Sequence, residues 1–400
     1  MAYQKKILGR KAKSYRPKVF FFYSSLQKDY LGHYMLRKLL EKVLILSRPF
    51  FSVILGLSIG LIVTQFAGEN PWNVLRILLN GAFGSRYDLG MTLFYATPLI
   101  FTGLSVSIAF QAGLFNIGAE GQLALGALAA TAVGVYFPHL PPVLAPILAA
   151  TAAFVGGAFW GFIPGWLRAK RGAHEVISTI MFNFIAAGLT SWVTLYLMRN
   201  PDSQNPETLA ISEAYKVSQF SFFDEAPVNL ALILALVVSI FVWVFLKKTV
   251  LGYEIQAVGQ NESAARSAGI HAGRIRILAM MLAGGVAGLV GVNDVLGSAW
   301  RFKLGFSPGY GFMGIAVALL GRNQPIGVIA SAILFGALHK GSLDLDLESE
   351  TVTRDLSQIL QAFIILCVSA DGFWLLCGEK IKLKFQKKFK TGISEGTEDG

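Results

Sequence analysis

Apolar segments recur along most of the chain, and each is separated from the next by a short polar stretch. A helix of about 20 apolar residues crosses the hydrocarbon core of a bilayer. The pattern therefore predicts an all-α integral membrane protein, a polytopic helical bundle of about ten transmembrane helices. The predicted spans lie at about 49–67, 89–110, 114–137, 143–166, 175–198, 229–246, 277–297, 310–321, 325–341 and 356–377. The segment at 310–321 is short for a full span.

The loops between these segments alternate in charge. Residues 168–175 and 247–276 carry clustered Lys and Arg, whereas residues 199–228 and 343–355 carry Asp and Glu. Since basic loops stay on the cytoplasmic side, the alternation predicts both termini in the cytoplasm and an even number of crossings. A re-entrant hairpin at 310–321 would place the basic tail outside, and the charge of that tail disfavours it.

The composition agrees with a membrane protein, because 54% of the residues are hydrophobic and 15% are charged, against about 25% charged in soluble proteins. The net charge of +11 is concentrated near the ends. Twelve Lys and Arg precede residue 49, and six lie between Lys380 and Lys390. Such clusters beside spans set orientation and bind anionic lipid, so we expect contact with the bilayer and no nucleic-acid partner.

The sequence divides into three parts. Residues 1–48 form a basic cytoplasmic extension, in which helical leucine spacing predicts an amphipathic surface helix. A disordered tail is the alternative for residues 1–25. Residues 49–378 form the membrane domain, whose first apolar segment is a retained helix and not a cleaved signal peptide. Residues 379–400 form a basic and polar cytoplasmic tail.

The stretch QAGLFNIGAEGQ places polar side chains at the start of the third apolar segment. A carboxylate at bilayer depth must face protein or a watery cavity, so Asn116, Glu120 and Gln122 are candidates for lining a solute pathway. Asn116 and Glu120 are four residues apart, which predicts that they share one helix face. The alternative is that Glu120 only caps or anchors the wet end of the helix.

The fifth apolar segment carries a second polar face. Thr179, Asn183, Thr190 and Thr194 fall on one side of a helix with 3.6 residues per turn. Their hydroxyl and amide groups suit a neutral polyhydroxylated solute, although the same groups also bond neighbouring helices.

An internal repeat is a further hypothesis. Gly113 and Gly118 recur as Gly309 and Gly314 at the same offset, and each pair is expected to open a short glycine-rich helix. Transporters are often built from two such related halves, with the solute site between them. A chance match explains the spacing equally well.

The stretch GYEIQAVGQNESAARSAGI at 252–270, which lies within the basic loop 247–276, has an apolar side. Asn261 is a suitable N-cap for a helix over 262–268, and Gly269 is a suitable residue to end it. A short capped helix facing the cytoplasm predicts docking into a partner, and a linker helix on the membrane surface is the alternative.

Three motifs in order, AGLFNIGAEGQ, HEVISTIMFNFIA and the loop above, resemble the permeases of ABC importers for simple sugars and nucleosides. These belong to a larger family that includes branched-chain amino-acid permeases. The resemblance covers residues 50–378 and is strongest to the first permease of nucleoside systems. It implies a permease importing a small polar solute, with nucleosides favoured and simple sugars as the alternative.

The resemblance also implies partners and a role for the cytoplasmic loop. The expected partners are ATP-binding cassette subunits that hold ATP and Mg²⁺, a second related permease in a heterodimer, and an extracytoplasmic solute-binding protein. The loop corresponds to the helix that meets the ATP-binding subunit. The residues carried over to that role are Glu254, Gly259, Asn261, Ala264, Ala265 and Gly269. Gln256 departs from the family, which usually has an arginine there.

Other activities lack their motifs. No G-x-x-x-x-G-K-[ST] occurs, the five histidines show no ligand spacing, and no catalytic triad pattern is present, so we expect a transport subunit without a cofactor and not an enzyme. An ion-coupled secondary transporter should show paired mid-span carboxylates, and we assign only Glu120 to that depth. Cys367 and Cys377 share the last apolar segment and are expected to be buried thiols.

Overall fold

The computed structural model of the protein describes residues 50–66, 68–349 and 355–369. The amphipathic helix expected within residues 1–48, the tail at 379–400 and Cys377 lie outside these residues. Leu55–Ser369 forms one compact unit, and of the other, Met1–Ile54 with Ala370–Gly400, only residues 50–54 are described.

The described residues are almost entirely helical, and their few β-bridges are isolated. The helices are α1 (Phe50–Phe66), α2 (Pro71–Phe83), α3 (Arg86–Gln111), α4 (Ala119–Tyr136), α5 (Leu144–Arg171), α6 (Glu175–Trp192), α7 (Ala231–Lys248), α8 (Val250–Gln260), α9 (Glu262–Ser267), α10 (Ala272–Gly288), α11 (Tyr310–Leu320), α12 (Pro325–Glu348) and α13 (Asp355–Ser369). π-Helical turns at Val193–Leu197 and Val292–Ala299 continue α6 and α10.

Six of the described helices are long and apolar enough to cross a membrane: α3, α5, α6 with its π-helical turn, α7, α10 with its turn, and α12. The apolar helices α1, α11 and part of α13 are shorter. The chain is therefore a multi-pass helical membrane protein. Among the described residues every predicted span overlaps a helix, but the count of ten crossings stays a prediction.

Helix α3 occupies the centre of the described bundle, and its middle and C-terminal half are buried almost completely. Glycines on two later helices pack against it. Gly314 of α11 contacts Thr102, and Gly336 of α12 contacts Thr92 and Ala96. Small residues thus let α11 and α12 approach α3 closely, as is typical of helices packed within a membrane.

Helices α5 and α10 are packed backbone to backbone along a glycine seam. A Cβ atom added to Gly157 would overlap the carbonyl oxygen of Gly284, and one added to Gly284 would overlap that of Gly157. A Cβ atom added to Gly161 would likewise overlap the carbonyl oxygen of Met280, and one added to Gly288 would overlap that of Ala153. No residue with a side chain fits at these positions without moving one helix.

Helices α4 and α11 begin beside each other and then run in opposite directions. The C-terminal end of α4 leads to Phe137, whose carbonyl oxygen accepts a hydrogen bond from Tyr215 Oη at 2.8 Å. The chain beyond α11 instead meets the C-terminal end of α3, where Gln111 Nε2 donates to the Asn323 carbonyl at 3.5 Å. With 11 residues, α11 is about 16 Å long, roughly half of a hydrocarbon core.

The glycine pairs proposed as a repeat are not structurally equivalent. Gly118 directly precedes α4, whereas Gly314 lies inside α11. Gly113 lies five residues before the cap of α4, whereas Gly309 is itself the cap of α11. These glycines therefore do not mark corresponding positions, although both helices do begin after a non-helical approach.

The end of one helix and the presence of another differ from the sequence prediction. Helix α12 continues to Glu348, so the first part of the acidic loop expected at 343–355 is helical. Lys340 stabilises this extension, because its Nζ lies 2.6 Å from Asp344 one turn later and 2.9 Å from Asp88 of α3. Helix α2 was not predicted, although Asn70 followed by Pro71 is a helix-start signal.

Candidate functional site

The residues before α4 are not helical, which corrects the prediction that Asn116 and Glu120 share a helix face. Asn116 instead forms a reciprocal pair with Gln122, with Nδ2 to Oε1 at 2.8 Å and Nε2 to Oδ1 at 3.1 Å. Its Oδ1 also accepts from the Gly118 N–H at 3.1 Å. Both side chains are buried. They therefore fix the entry of the chain into α4 and do not line an open space.

The Glu120 carboxylate lies between the N-terminal ends of two helices. It stands in the first turn of α4, and its Oε2 accepts a hydrogen bond from the backbone N–H of Gly311, in the first turn of α11, at 2.7 Å. Helix N-termini carry partial positive charge, so this position favours an anionic side chain.

The depth of Glu120 follows from the packing of α11 on α3. Gly314, one turn beyond Gly311, contacts Thr102, which lies past the middle of the 26-residue helix α3. Glu120 is thus close to the middle of α3 and not at its end. The interpretation of Glu120 as a cap at the wet end of a full span does not agree with this depth.

The polar face of α6 attaches to the start of α4. Asn183 Oδ1 accepts from the Gly121 N–H at 2.9 Å, and its Nδ2 donates to the Ile117 carbonyl at 3.0 Å. Thr179 and Thr190 donate to carbonyls of their own helix, those of Glu175 at 2.8 Å and Ala187 at 3.1 Å. Thr179, Asn183 and Thr190 lie on α6, Thr194 lies in the π-helical turn that follows it, and Asn183 connects α6 to α4.

A cavity of about 150 Å³ lies between α4, α6 and the segment before α11. Three of the six predicted pathway residues, Glu120, Asn183 and Thr190, line it, together with Phe306 and Ser307. Asn116, Gln122 and Thr179 do not. The cavity thus offers a carboxylate, an amide and hydroxyl groups to a polar solute.

A second cavity, of about 240 Å³, contains a carboxylate that the sequence analysis missed. Asp294 lies in the π-helical continuation of α10 and faces this cavity, which Phe94, Tyr95 and Tyr310 also line. Asp294 falls within the span expected at 277–297, so an acidic residue inside an apolar segment was the available signal. Glu120 is therefore not the only carboxylate at such a depth.

The cytoplasmic loop folds into two helices. Thr249 Oγ1 accepts from the Gly252 N–H at 3.0 Å and begins α8, which was not predicted. Asn261 Oδ1 accepts from the Ala264 N–H at 3.1 Å and begins α9, as predicted. Gly269 has φ +85°, and the Ile270 N–H returns to the Ala265 carbonyl at 3.0 Å. This hydrogen bond ends α9 in the expected manner.

The residues predicted to couple to an ATP-binding subunit divide into two groups. Asn261, Ala264 and Gly269 are exposed on α9. Ala265 is buried, and a Cβ atom on Gly259 would overlap the Gln111 carbonyl oxygen. The first group forms an available surface, whereas the second attaches that surface to the rest of the protein. Glu254 on α8 is half-buried and belongs to neither group.

Glu262 fastens α9 to α10. Its carboxylate lies 2.5 Å from Arg266 on the same helix and 2.7 Å from Arg276 on α10. Partial burial acts to raise the pKa of Glu262, but the hydrogen bonds and charges of Arg266 and Arg276 outweigh it, so that the pKa lies below its usual range. Glu262 is therefore a charged anchor for the exposed helix.

A bundle of apolar helices around partly polar cavities, with a separate capped helix at one end, defines a multi-pass membrane transport protein. The family of branched-chain amino acid transport system permease components matches residues 89–369, so the chain belongs to this family of ABC transporter permeases. It is a transport subunit and not an enzyme.

Curated relatives match over most of their length. The guanosine ABC transporter permease protein NupP of Bacillus subtilis is 38% identical over 81% of this chain and 92% of its own. The nucleoside ABC transporter permease protein NupB of Lactococcus lactis is 36% identical over 82% of this chain and 91% of its own. The glucose ABC transporter permease protein TsgB13 of Haloferax volcanii is 33% identical over 86% and 90%.

Each of the first two strains also contains a second, more distant relative, named as a guanosine or nucleoside permease and 28% or 26% identical to this chain.

Proposed function

We propose that this chain is one permease of an ATP-driven importer for nucleosides. The observation that carries the proposal is its similarity to NupP over 92% of that protein, supported by the similar match to NupB. The first cavity agrees with this solute class, because hydroxyl, amide and carboxylate groups bond neutral polyols and bases without a required counter-charge. Its solute pathway includes Glu120, Asn183 and Thr190.

The proposed complex contains a second, related permease, two ATP-binding cassette subunits that hold ATP and Mg²⁺, and an extracytoplasmic solute-binding protein. The paired relatives in two bacterial strains support a heterodimer of permeases. The exposed residues of α9 face the ATP-binding subunit. Basic residues cluster at the C-terminal ends of α5 and α7, which supports a cytoplasmic location for these ends and for both termini in a bacterial inner membrane.

The energy for transport comes from the partner subunits. ATP binding brings the two ATP-binding subunits together and displaces α8 and α9. Since Gly259 of α8 contacts the backbone at Gln111 and Gly113, the displacement reaches the segment that leads to Glu120. Access to the cavity then switches from one side of the membrane to the other.

The test is uptake into proteoliposomes that contain both permeases and the ATP-binding subunits, with the solute-binding protein added. Labelled guanosine, adenosine, ribose and glucose are supplied separately, with ATP or a non-hydrolysable analogue inside. We expect ATP-dependent uptake of nucleosides. Uptake of glucose alone would favour the second candidate, a sugar permease, which the match to TsgB13 supports. Uptake driven by a proton or sodium gradient without the ATP-binding subunits would overturn the proposal.

A further inference from the structure

The cavity around Asp294 is enclosed by three separate segments. Phe94 and Tyr95 come from α3, Asp294 and Ser298 come from the π-helical end of α10, and the segment from Arg301 to Tyr310 closes the remaining side. Phe306 lines this cavity and also the one at Glu120. The two cavities are thus neighbours that share one aromatic wall, and both contain a carboxylate.

Asp294 has fewer polar partners than Asp88 or Glu262, each of which bonds two other side chains. Among the described residues its one hydrogen bond comes from Asn293 Nδ2 at 3.4 Å, and no cation of these residues lies within ion-pair distance of it. Two basic residues, Arg301 and Lys303, also border the cavity. The guanidinium of Arg301 is committed to Glu207 at 2.7 Å. A carboxyl group offers several acceptor positions. In the described part of the chain Asn293 occupies one of those of Asp294, which also lines the cavity.

The chemistry of the lining restricts the ligand. A carboxylate recognises two adjacent donors, such as the vicinal hydroxyls of a ribose or the N1–H and 2-amino group of a guanine. Four of the lining side chains, Phe94, Tyr95, Phe306 and Tyr310, are aromatic, and such rings hold a flat base by stacking. A nucleoside presents both features, whereas a free sugar lacks the flat base.

We propose that the Asp294 cavity is a nucleoside-binding site next to the Glu120 cavity, in which aromatic side chains hold the base and the Asp294 carboxylate accepts hydrogen bonds from two adjacent donors of the solute. This assignment rests on the proposed function and specifies its solute class. Asp294 then contributes recognition, and Phe306 separates the two successive positions of the solute.

The test measures equilibrium binding to the complex of both permeases and the ATP-binding subunits, purified in nanodiscs without the solute-binding protein. Labelled guanosine is the probe, and unlabelled adenosine, inosine and 2′-deoxyguanosine compete with it. Asp294→Asn removes the charge at nearly constant size. We expect guanosine to bind the variant about tenfold more weakly or worse, since hydrogen bonds to charged groups are among the stronger ones.

Two further variants exclude a structural explanation. Glu213→Gln removes a carboxylate that is exposed and lines neither cavity, and we expect unchanged binding. Phe306→Leu alters the aromatic wall without touching the polar groups around Asn293, and it should weaken all four nucleosides alike. Melting temperatures of the variant complexes should remain close to that of the wild type.

The competitors identify the recognised group. If the ribose hydroxyls bond Asp294, 2′-deoxyguanosine binds the wild type weakly and loses little more in Asp294→Asn. If the guanine edge does so, adenosine, which lacks N1–H, is insensitive to the substitution. Equal guanosine affinity of the wild type and Asp294→Asn, or no saturable binding to the wild type, overturns the site even where the complete system imports nucleosides. Failure of that import would instead overturn the proposed function.

Discussion

Gln256 on α8 donates a hydrogen bond of 2.6 Å from Nε2 to the carbonyl oxygen of Leu246, in the last turn of α7. This carbonyl belongs to the terminal group that an α-helix leaves without an internal partner. The resemblance to importer permeases implies that an arginine is the usual residue at this position. Both side chains reach such a carbonyl, and a cation there is also favoured by the helix dipole.

Substitutions of Gln256 should therefore distinguish its hydrogen bond to the Leu246 carbonyl from any other role of its side chain. We expect Gln256→Ala to lower the free energy of unfolding by about 1 kcal/mol, the usual net value of one hydrogen bond. Gln256→Arg should retain the hydrogen bond to the Leu246 carbonyl and, with it, the stability of the wild type. The measurement is denaturant unfolding of the purified protein in detergent. Equal loss in both variants would show that the glutamine side chain does more than bond the Leu246 carbonyl.

The charge of Glu120 can be removed while its contact is kept. Glu120→Gln still presents an oxygen to the Gly311 N–H, so we expect near-normal amounts of protein in the membrane. Solute uptake should fall by about tenfold, because a hydrogen bond that the solute donates to a charged acceptor is lost. Uptake per molecule of membrane protein is the measurement.

A purely structural role for Glu120 predicts the opposite result. Membrane levels would then fall, and uptake per molecule would stay unchanged. Thr179→Val is the matched control, since Thr179 is polar and buried but does not line the cavity.

Two adjacent alanines of α9 test the docking surface. Ala264 is exposed and Ala265 is 4% exposed. Ala264→Leu should abolish uptake but preserve the membrane level, because the added side chain points toward the partner. Ala265→Leu should reduce the membrane level, since overpacking a buried position costs about 1–3 kcal/mol. Immunoblots and uptake assays distinguish the two, and wild-type uptake by Ala264→Leu would contradict the docking role.

The seam between α5 and α10 should not accept a methyl group. Gly284→Ala places a Cβ atom against the Gly157 carbonyl, so we expect little folded protein. Gly188→Ala in α6 is the matched control, because nothing lies within 4 Å of its added Cβ. That variant should keep or slightly raise stability, as alanine is the better helix former in water by about 1 kcal/mol. Size-exclusion profiles and thermal unfolding in detergent provide the comparison.

The anchor at Glu262 should give α9 a specific dependence on pH. Because the pKa of Glu262 is lowered in the folded protein, its stabilising contribution is present above the unfolded value of about 4.3. This contribution is lost as the pH falls through the lower, folded-state pKa. Hydrogen exchange of α9 amides between about pH 6 and 3 should show the loss in the wild type, after correction for intrinsic rates.

In Glu262→Gln the α9 amides should be less protected from exchange than in the wild type at the upper end of this pH range. Their protection should then show no further loss as the pH falls. The exposed Glu213 provides the comparison, since Glu213→Gln should leave the exchange of α9 unchanged. A loss of protection that persists in Glu262→Gln would assign the pH dependence to another carboxylate.

Signals between residues close together in the sequence predicted the helices well. They could not predict contacts between residues that are far apart in the sequence. Asn261 and Gly269 delimit α9 through bonds that span three to five residues, which a sequence displays directly. Asn116 lies outside a helix because of its pairing with Gln122 and the attachment of Ile117 to Asn183, a contact across 66 residues.

The Asp294 cavity combines segments about 200 residues apart in sequence, as the hydrogen bond from Asn293 Nδ2 to the Phe94 carbonyl illustrates. Periodicity identifies which residues lie on a face, but the partner of that face depends on the tertiary fold. The acidic residue in the span was visible in the sequence. Its aromatic surroundings were not.

The contact between Gly259 and the turn at Gln111–Gly113 joins main chain to main chain, with no side chain between them. Side chains absorb small shifts by rotating about their bonds, and a main-chain contact has no such freedom. A tilt of α8 would therefore act directly on the main chain of this turn, which leads to Glu120. Transport by this protein then depends on the rigidity of a few glycine backbones as much as on the polar groups that the solute touches.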